Sequence, residues 1–159
     1  MSETIRMLKA HREETAVKKY KIGYTTGVFD MFHIGHLNIL KRAKEQCEYL
    51  IVGVSTDELV QDYKSKTPII PYEERCEIVS SIKYVDETVS QSDMDKLKAV
   101  KRLNADAVFV GSDWKGTPTW NRLEEELKKI NCSVVYLDHT DGISSTILRD
   151  KLNKGGNSK

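Results

Sequence analysis

Two imidazoles stand three residues apart in His33-Ile34-Gly35-His36, where the chain passes from a strand-like segment into a helical one. Gly35 removes a side chain between them and lets a ligand approach the backbone closely. Helix N-terminal amides and two rings then converge on one point, an arrangement suited to phosphate oxygens. Transfer at phosphorus needs charge stabilisation and positioning more than covalent help, and two imidazole donors around a trigonal-bipyramidal phosphorus supply both. Gly27-Val28-Phe29-Asp30, just upstream, brings backbone and a carboxylate to the same strand end. The pair alone has two other readings. His36 shares a helix face with Leu40, Ala43 and Cys47, as a core histidine would, and His-x-x-His with Asp30 has the make-up of a metal-ligand set.

Three more groups carry chemistry. Tyr63-Lys64-Ser65-Lys66, on a loop before Pro68, offers two ammonium groups to a triphosphate, with solvated loop lysines as the plainer reading. In His139-Thr140-Asp141-Gly142-Ile143-Ser144-Ser145-Thr146, Gly142 permits an unusual turn, and the hydroxyls cap a helix while leaving amides for phosphate. Capping explains one of those hydroxyls, not three. Gly111-Ser112-Asp113-Trp114 puts a carboxylate and an indole at one edge, although Trp114 serves equally as a core plug. There is no Gly-x-x-x-x-Gly-Lys-Ser/Thr loop, and no Gly-x-Gly-x-x-Gly follows the first strand, which disfavours P-loop enzymes and dinucleotide dehydrogenases. Anion-binding features at three strand ends favour one nucleotide lying across a sheet.

The elements that must position these groups alternate. Strands are predicted at 22–29, 49–55, 84–89, 105–110 and 133–137, with helices from His36, over 71–82, 93–103, 118–130 and 144–152. This pattern predicts a doubly wound α/β parallel sheet, whose ligands sit beyond the carboxyl ends of the strands. One domain, 21–152, is expected, with a helical extension over 1–20 and a fraying tail over 153–159. The 159 residues include 25 basic and 24 acidic side chains, a balance unlike that of a nucleic-acid binder. Three scattered cysteines without a Cys-x-x-Cys pair suggest neither zinc nor a redox dithiol, and reduced thiols in the cytoplasm are the simpler expectation. Residues 1–20 lack an apolar signal core, and the longest apolar stretch, 49–54, is too short for a bilayer, so no membrane association is expected.

Taken together, these residues resemble the cytidylyltransferase family, most closely its bacterial glycerol-3-phosphate cytidylyltransferases, in consistent order from about residue 22 to 152. The family's His-x-Gly-His signature falls on His33, Gly35 and His36, its lysine pair on Lys64 and Lys66, and its helix-start Glu-Arg on Glu74 and Arg75. Its dimer-forming segment appears as Lys83-Tyr84-Val85-Asp86-Glu87, its Gly-Asp-Asp-Trp turn as Gly111–Trp114, and its Arg-Thr-Glu-Gly-Ile-Ser-Thr-Thr signature as His139–Thr146. This chain has His139 and Lys83 where the family has arginine, and Ser112 where it has aspartate.

The resemblance implies a Rossmann-like nucleotidyltransferase fold. It implies a homodimer that uses CTP, with Mg2+ carried on the triphosphate, no metal held by the protein alone, and a small phosphorylated alcohol, glycerol 3-phosphate. The substrate phosphate attacks the α-phosphorus in line, and a CDP-alcohol for cell-surface polymer synthesis results. His33, His36 and Lys64 are the implied catalytic residues. The implied nucleotide site adds Gly27, Val28, Phe29, Gly35, Lys66, Gly111, Asp113, His139, Thr140, Gly142, Ile143, Ser144, Ser145 and Thr146. Asp30, Lys64, Arg75, Asp113 and Trp114 are implied for the acceptor. Three alternatives stay open: an adenylyltransferase sharing His-x-Gly-His, a non-catalytic nucleotide sensor, and a metal hydrolase lacking an evident further ligand set.

Overall fold

In the computed structural model of the chain, residues 2–4, 18–140 and 142–156 are described. Among them five strands form one parallel sheet in the order β3-β2-β1-β4-β5: β1 Tyr20–Gly27, β2 Cys47–Ser55, β3 Glu87–Gln91, β4 Ala107–Gly111 and β5 Ser133–Leu137. Six helices connect or cover them: α1 Ile34–Gln46, α2 Asp57–Lys64, α3 Tyr72–Ser80, α4 Lys96–Leu103, α5 Pro118–Lys128 and α6 Ser145–Gly156. The chain winds outward from β1 to one edge, then crosses back to β4 and β5. The carboxyl ends of β1 and β4 therefore flank the switch point where such sheets open a crevice.

β2 is nearly all apolar because both faces of the sheet are covered. Its side chains alternate: Leu50, Val52 and Val54 pack with Leu40, Ala43, Val79 and Phe109, whereas Ile51 joins Tyr24, Val100, Val108, Trp120 and Leu127 on the other face. Local chemistry sets the helix ends. Thr56 Oγ1 accepts from Leu59 N to start α2, Asp95 accepts from Lys98 N to start α4, and Pro118 opens α5, where a missing N–H costs nothing.

Strand and helix types follow the sequence expectation, with displaced bounds: β1 runs Tyr20–Gly27 rather than 22–29, so Val28 and Phe29 lie beyond the strand. β3 lies at Glu87–Gln91 rather than 84–89, because Tyr84 and Val85 turn inward against the core ahead of it. The Asp86 carboxylate then accepts from Leu50 N at 2.8 Å and Lys44 Nζ at 2.6 Å, fixing where β3 begins beside β2. Lys64 is not in a loop but is the last residue of α2, and Ser65 closes the helix in the left-handed region at φ 53°. α6 continues through Gly156, so residues 153–156 are helical rather than frayed, and 157–159 lie outside the described residues. Of the extension expected over 1–20, residues 1 and 5–17 lie outside the described residues, and Tyr20 already belongs to β1. No helix among the described residues is long and apolar enough to cross a membrane.

Candidate active site

Beyond Gly27 the chain leaves the sheet in a tight, strained loop. Phe29 and Met31 both take left-handed backbone (φ 55° and 50°), at a cost on the order of 1–2 kcal/mol each. Burial of the Phe29 ring and the bonds of Asp30 offset this. His33 then caps α1: its Nδ1 accepts from Gly35 N at 3.1 Å, while His36 Nδ1 accepts from His33 N at 3.2 Å. The two histidines thus make a reciprocal capping box. Because each Nδ1 accepts, each ring carries its proton on Nε2, an assignment made from the bonding pattern. The rings stack with centroids 3.8 Å apart.

Gly35 has a reason that the sequence does not reveal. A β-carbon there would stand 2.8 Å from the His33 ring and 3.4 Å from the Ile143 γ-methyl, so the cap itself excludes a side chain.

Burial pushes the His36 imidazole down to about 4, with His33 adding to the shift and Asp30 opposing it. Burial also lowers His33. Both rings are therefore neutral hydrogen-bond donors near pH 7. The sign of the stability effect follows: between pH 6.5 and about 4 the unfolded chain binds a proton that the folded His36 refuses, so stability falls as pH falls through that window. The expected loss is on the order of 2–3 kcal/mol. Asp30 lies below its ordinary range, so its own loss comes at lower pH. Urea midpoints at pH 7 and pH 4.5 measure this, and His36→Asn should flatten the difference; an unchanged pH dependence in that variant contradicts the assignment.

A cleft of about 340 Å³ opens over the strand ends. Gly27, Val28, Phe29, Asp30 and His36 reach it from the β1 side, Lys64 and Lys66 from the end of α2, Gly111, Trp114 and His139 from the far side, and Ser145 and Thr146 from α6. Ile39, Val60 and Phe109 give it apolar walls. Two further cations line it that sequence reasoning missed, Lys96 and Arg149. Lys96 sits in a run with Lys98, Lys101 and Arg102 that reads as a solvated helix face. For Arg149 a signal existed, since it stands one helical turn after Ser145. Asp30 is the one carboxylate among the described lining residues, and it is already bonded to Ile69 N, Ile70 N and Arg149. Burial, then Arg149 and Lys66, lowers the Lys64 ammonium pKa. Cations crowded together without free carboxylates make a site for a multiply charged anion.

The other expected site residues divide. His33 Nε2 is buried without a protein partner, and His33 stands behind His36 rather than in the cleft wall. Ser144 Oγ caps α6 by accepting from Ile147 N at 3.1 Å, Ser145 Oγ donates to Asp30 O at 2.8 Å, and Thr146 lines the cleft, so the three hydroxyls have three tasks. Thr140 Oγ1 accepts from Asn38 and, with Ile143 and the exposed Gly142 turn (φ 79°), stays outside the cleft wall. His139 lies over Gly111, where a β-carbon would meet its ring at 2.9 Å, and pairs through Nε2 with Asp113 at 2.9 Å. Asp113 itself points to solvent. Trp114 is 54% exposed and is no core plug; Trp120 fills that role.

Arg75 is a correction. It is fully buried and does not line the cleft: Nε donates to Ile70 O, Nη1 to Val28 O and Ser55 O, and Nη2 to Asp57. Four of its five N–H donors go to three carbonyls and the Asp57 carboxylate, which makes it a brace rather than an acceptor ligand. The metal-ligand reading of the histidine pair also loses its atoms, since both Nδ1 atoms and both Asp30 oxygens are engaged within the protein.

A family model described as cytidylyltransferase-like matches residues 24–151. The glycerol-3-phosphate cytidylyltransferase of Staphylococcus aureus is 37% identical over 129 residues, covering 80% of this chain and 92% of that protein. The FAD synthase of Thermococcus sibiricus is 39% identical over 126 residues, covering 77% and 84%. Among solved structures, a lipopolysaccharide core biosynthesis protein from Thermoplasma volcanium superposes with a TM-score of 0.64 at 27% identity, over 76% of this chain and 97% of that one.

Proposed function

Because the chain belongs to the cytidylyltransferase-like family, we propose that this nucleotidyltransferase moves CMP from CTP to a small phosphorylated alcohol, glycerol 3-phosphate, and releases pyrophosphate. The observation that carries this reading is the cleft in which Lys64, Lys66, Lys96, Arg149 and the neutral His36 face one another, with no free carboxylate among the described lining residues. Two phosphorylated substrates need just such an excess of donors and positive charge.

In this reading the triphosphate lies against His36 and the α6 N-terminus, with Thr146 and the backbone around Gly111 beside the nucleoside. The acceptor's phosphate enters from the side of Lys64 and Lys96. A phosphate oxygen forms the new bond to the α-phosphorus as the bridging α–β bond breaks, and pyrophosphate leaves with the electron pair. No acid or base is required, because the phosphate monoester is already an anionic nucleophile. His36 Nε2–H donates to an α-phosphoryl oxygen whose charge grows in the bipyramidal state. A Mg2+ carried in with the triphosphate would supply charge neutralisation there, alongside the cations of Lys64, Lys66 and Arg149.

We also place the enzyme in the cytoplasm, where free Cys47, Cys76 and Cys132 stay reduced, and read it as a homodimer joined through the Lys83-Tyr84-Val85-Asp86 segment. Its CDP-alcohol would serve cell-surface polymer synthesis. A second reading, adenylyl transfer from ATP, draws support from the Thermococcus sibiricus FAD synthase at similar identity.

Pyrophosphate release, measured for CTP and ATP crossed with a panel of phosphorylated alcohols and flavin mononucleotide, separates these. Turnover is expected with CTP and glycerol 3-phosphate. Equal rates with ATP and CTP overturn the cytidine assignment, turnover with ATP and the flavin alone establishes the second reading, and no pyrophosphate in any pairing refutes nucleotidyl transfer.

A further inference from the structure

We propose that Asp30 is a positioning residue that aims the Arg149 guanidinium at the nucleotide's phosphates. This rests on the reading of the cleft as a triphosphate site. The sequence places Asp30 against the acceptor, yet its side chain is 3% exposed and its carboxylate oxygens are engaged by protein donors. Ile70 N donates to Oδ1 and Ile69 N to Oδ2, each at 2.9 Å, and Arg149 Nη2 donates to Oδ2 as well. The Asp30 carbonyl accepts from Ser145 Oγ at 2.8 Å. One residue thus ties the β1 loop to the segment after Lys66 and to the first turns of α6.

The direction of control follows from who is free to move. Two backbone amides fix the plane of the carboxylate, and the left-handed residues on either side, Phe29 and Met31, fix its backbone. Asp30 therefore does not follow Arg149; Arg149 is set by Asp30. A guanidinium is planar and rigid, so anchoring Nη2 to Asp30 restricts where its remaining N–H bonds can point. The Nε–H of Arg149 is buried without a partner, although Arg149 lines the cleft. A donor left unpaired in a dry place is costly, and the rest of the head group, in a side chain 26% exposed, is open to a phosphoryl oxygen in the cleft. Burial raises the Asp30 carboxyl pKa, but the two amides and Arg149 outweigh this and keep it ionised.

Inorganic pyrophosphate is the probe, because its binding depends neither on the base nor on turnover. Calorimetric Kd values are compared for the wild type, Asp30→Asn, Arg149→Met and the double variant. Asp30→Asn is expected to weaken binding about tenfold, with the double variant no weaker than Arg149→Met within about threefold. Wild-type affinity in Asp30→Asn overturns the proposal, and so does a double variant whose loss is the product of the single losses, since Asp30 then acts by another route. Should Asp30→Asn fail to fold, Arg149→Lys decides. It keeps the charge but not the planar fork, and a tenfold loss supports aiming, whereas wild-type affinity shows that charge alone suffices. A wild-type protein that binds no pyrophosphate refutes the triphosphate reading itself, a separate failure.

Discussion

Replacing His36 with alanine is expected to lower turnover by about 100- to 1,000-fold, the scale on which one preorganised donor to a developing charge acts. The structure makes the claim specific to one atom. His36 Nδ1 accepts from His33 N, so the donor the proposed reaction would use is Nε2–H, and burial keeps the ring neutral and its proton in place at pH 7. His36→Asn sharpens the test. Its amide oxygen can replace Nδ1 in the cap but nothing replaces Nε2, so it should lose as much turnover as alanine while keeping α1 intact. His36→Gln puts an amide donor near the Nε2 position and should recover part of the loss. Pyrophosphate release at saturating substrates, with far-ultraviolet circular dichroism as the control for folding, gives the answer. An asparagine variant that is folded and within about fivefold of wild-type turnover, far from the loss of a preorganised donor, leaves His36 as a capping residue only.

The sheet was legible because burial writes itself into strands. Leu50, Ile51, Val52 and Val54 form a continuous apolar run that fits a parallel strand covered on both faces. The same signal misled at Tyr84 and Val85, which are apolar because they pack inward from a turn, not because they lie in β3. At the site, the short motifs around His33, Lys64 and Ser145 were legible because each couples a local turn to a particular residue type. Lys96 was not. A lysine's reach into a cleft depends on where α4 docks, and the local sequence of Asp95 and Lys98 describes only a capped, charged helix. Arg149 left only the signal of its place one turn after Ser145, because the carboxylate it pairs with lies 119 residues earlier. Gly35 reads in sequence as an opening for a ligand, but the ring of His33 occupies the space beside it, as that of His139 does beside Gly111.

Arg75→Ala is expected to cost about 3–5 kcal/mol of stability, the usual penalty for removing one member of a buried charged network. The side chain is wholly buried, and it gathers the carbonyls of Val28, Ser55 and Ile70 together with the Asp57 carboxylate. These come from the β1 loop, the end of β2, the start of α2 and the segment before α3, so one guanidinium laces together the floor of the cleft. Alanine leaves three carbonyls without their donor and opens a cavity. Asp57 softens the loss, because its side chain is 35% exposed and water can take over there. Against a domain stability of about 5–15 kcal/mol, the change brings the variant close to unfolding, and the melting temperature should fall by on the order of 10 °C. Arg75→Lys keeps a charge but cannot span the same acceptors, so it should recover only a minor part. The competing view, that Arg75 binds the acceptor, predicts the opposite pattern: a raised KM with an unchanged urea midpoint. Urea denaturation and KM for the phosphorylated alcohol, measured on the same preparation, decide between a brace and a ligand. A full-strength fold with a selectively raised acceptor KM would return Arg75 to the substrate.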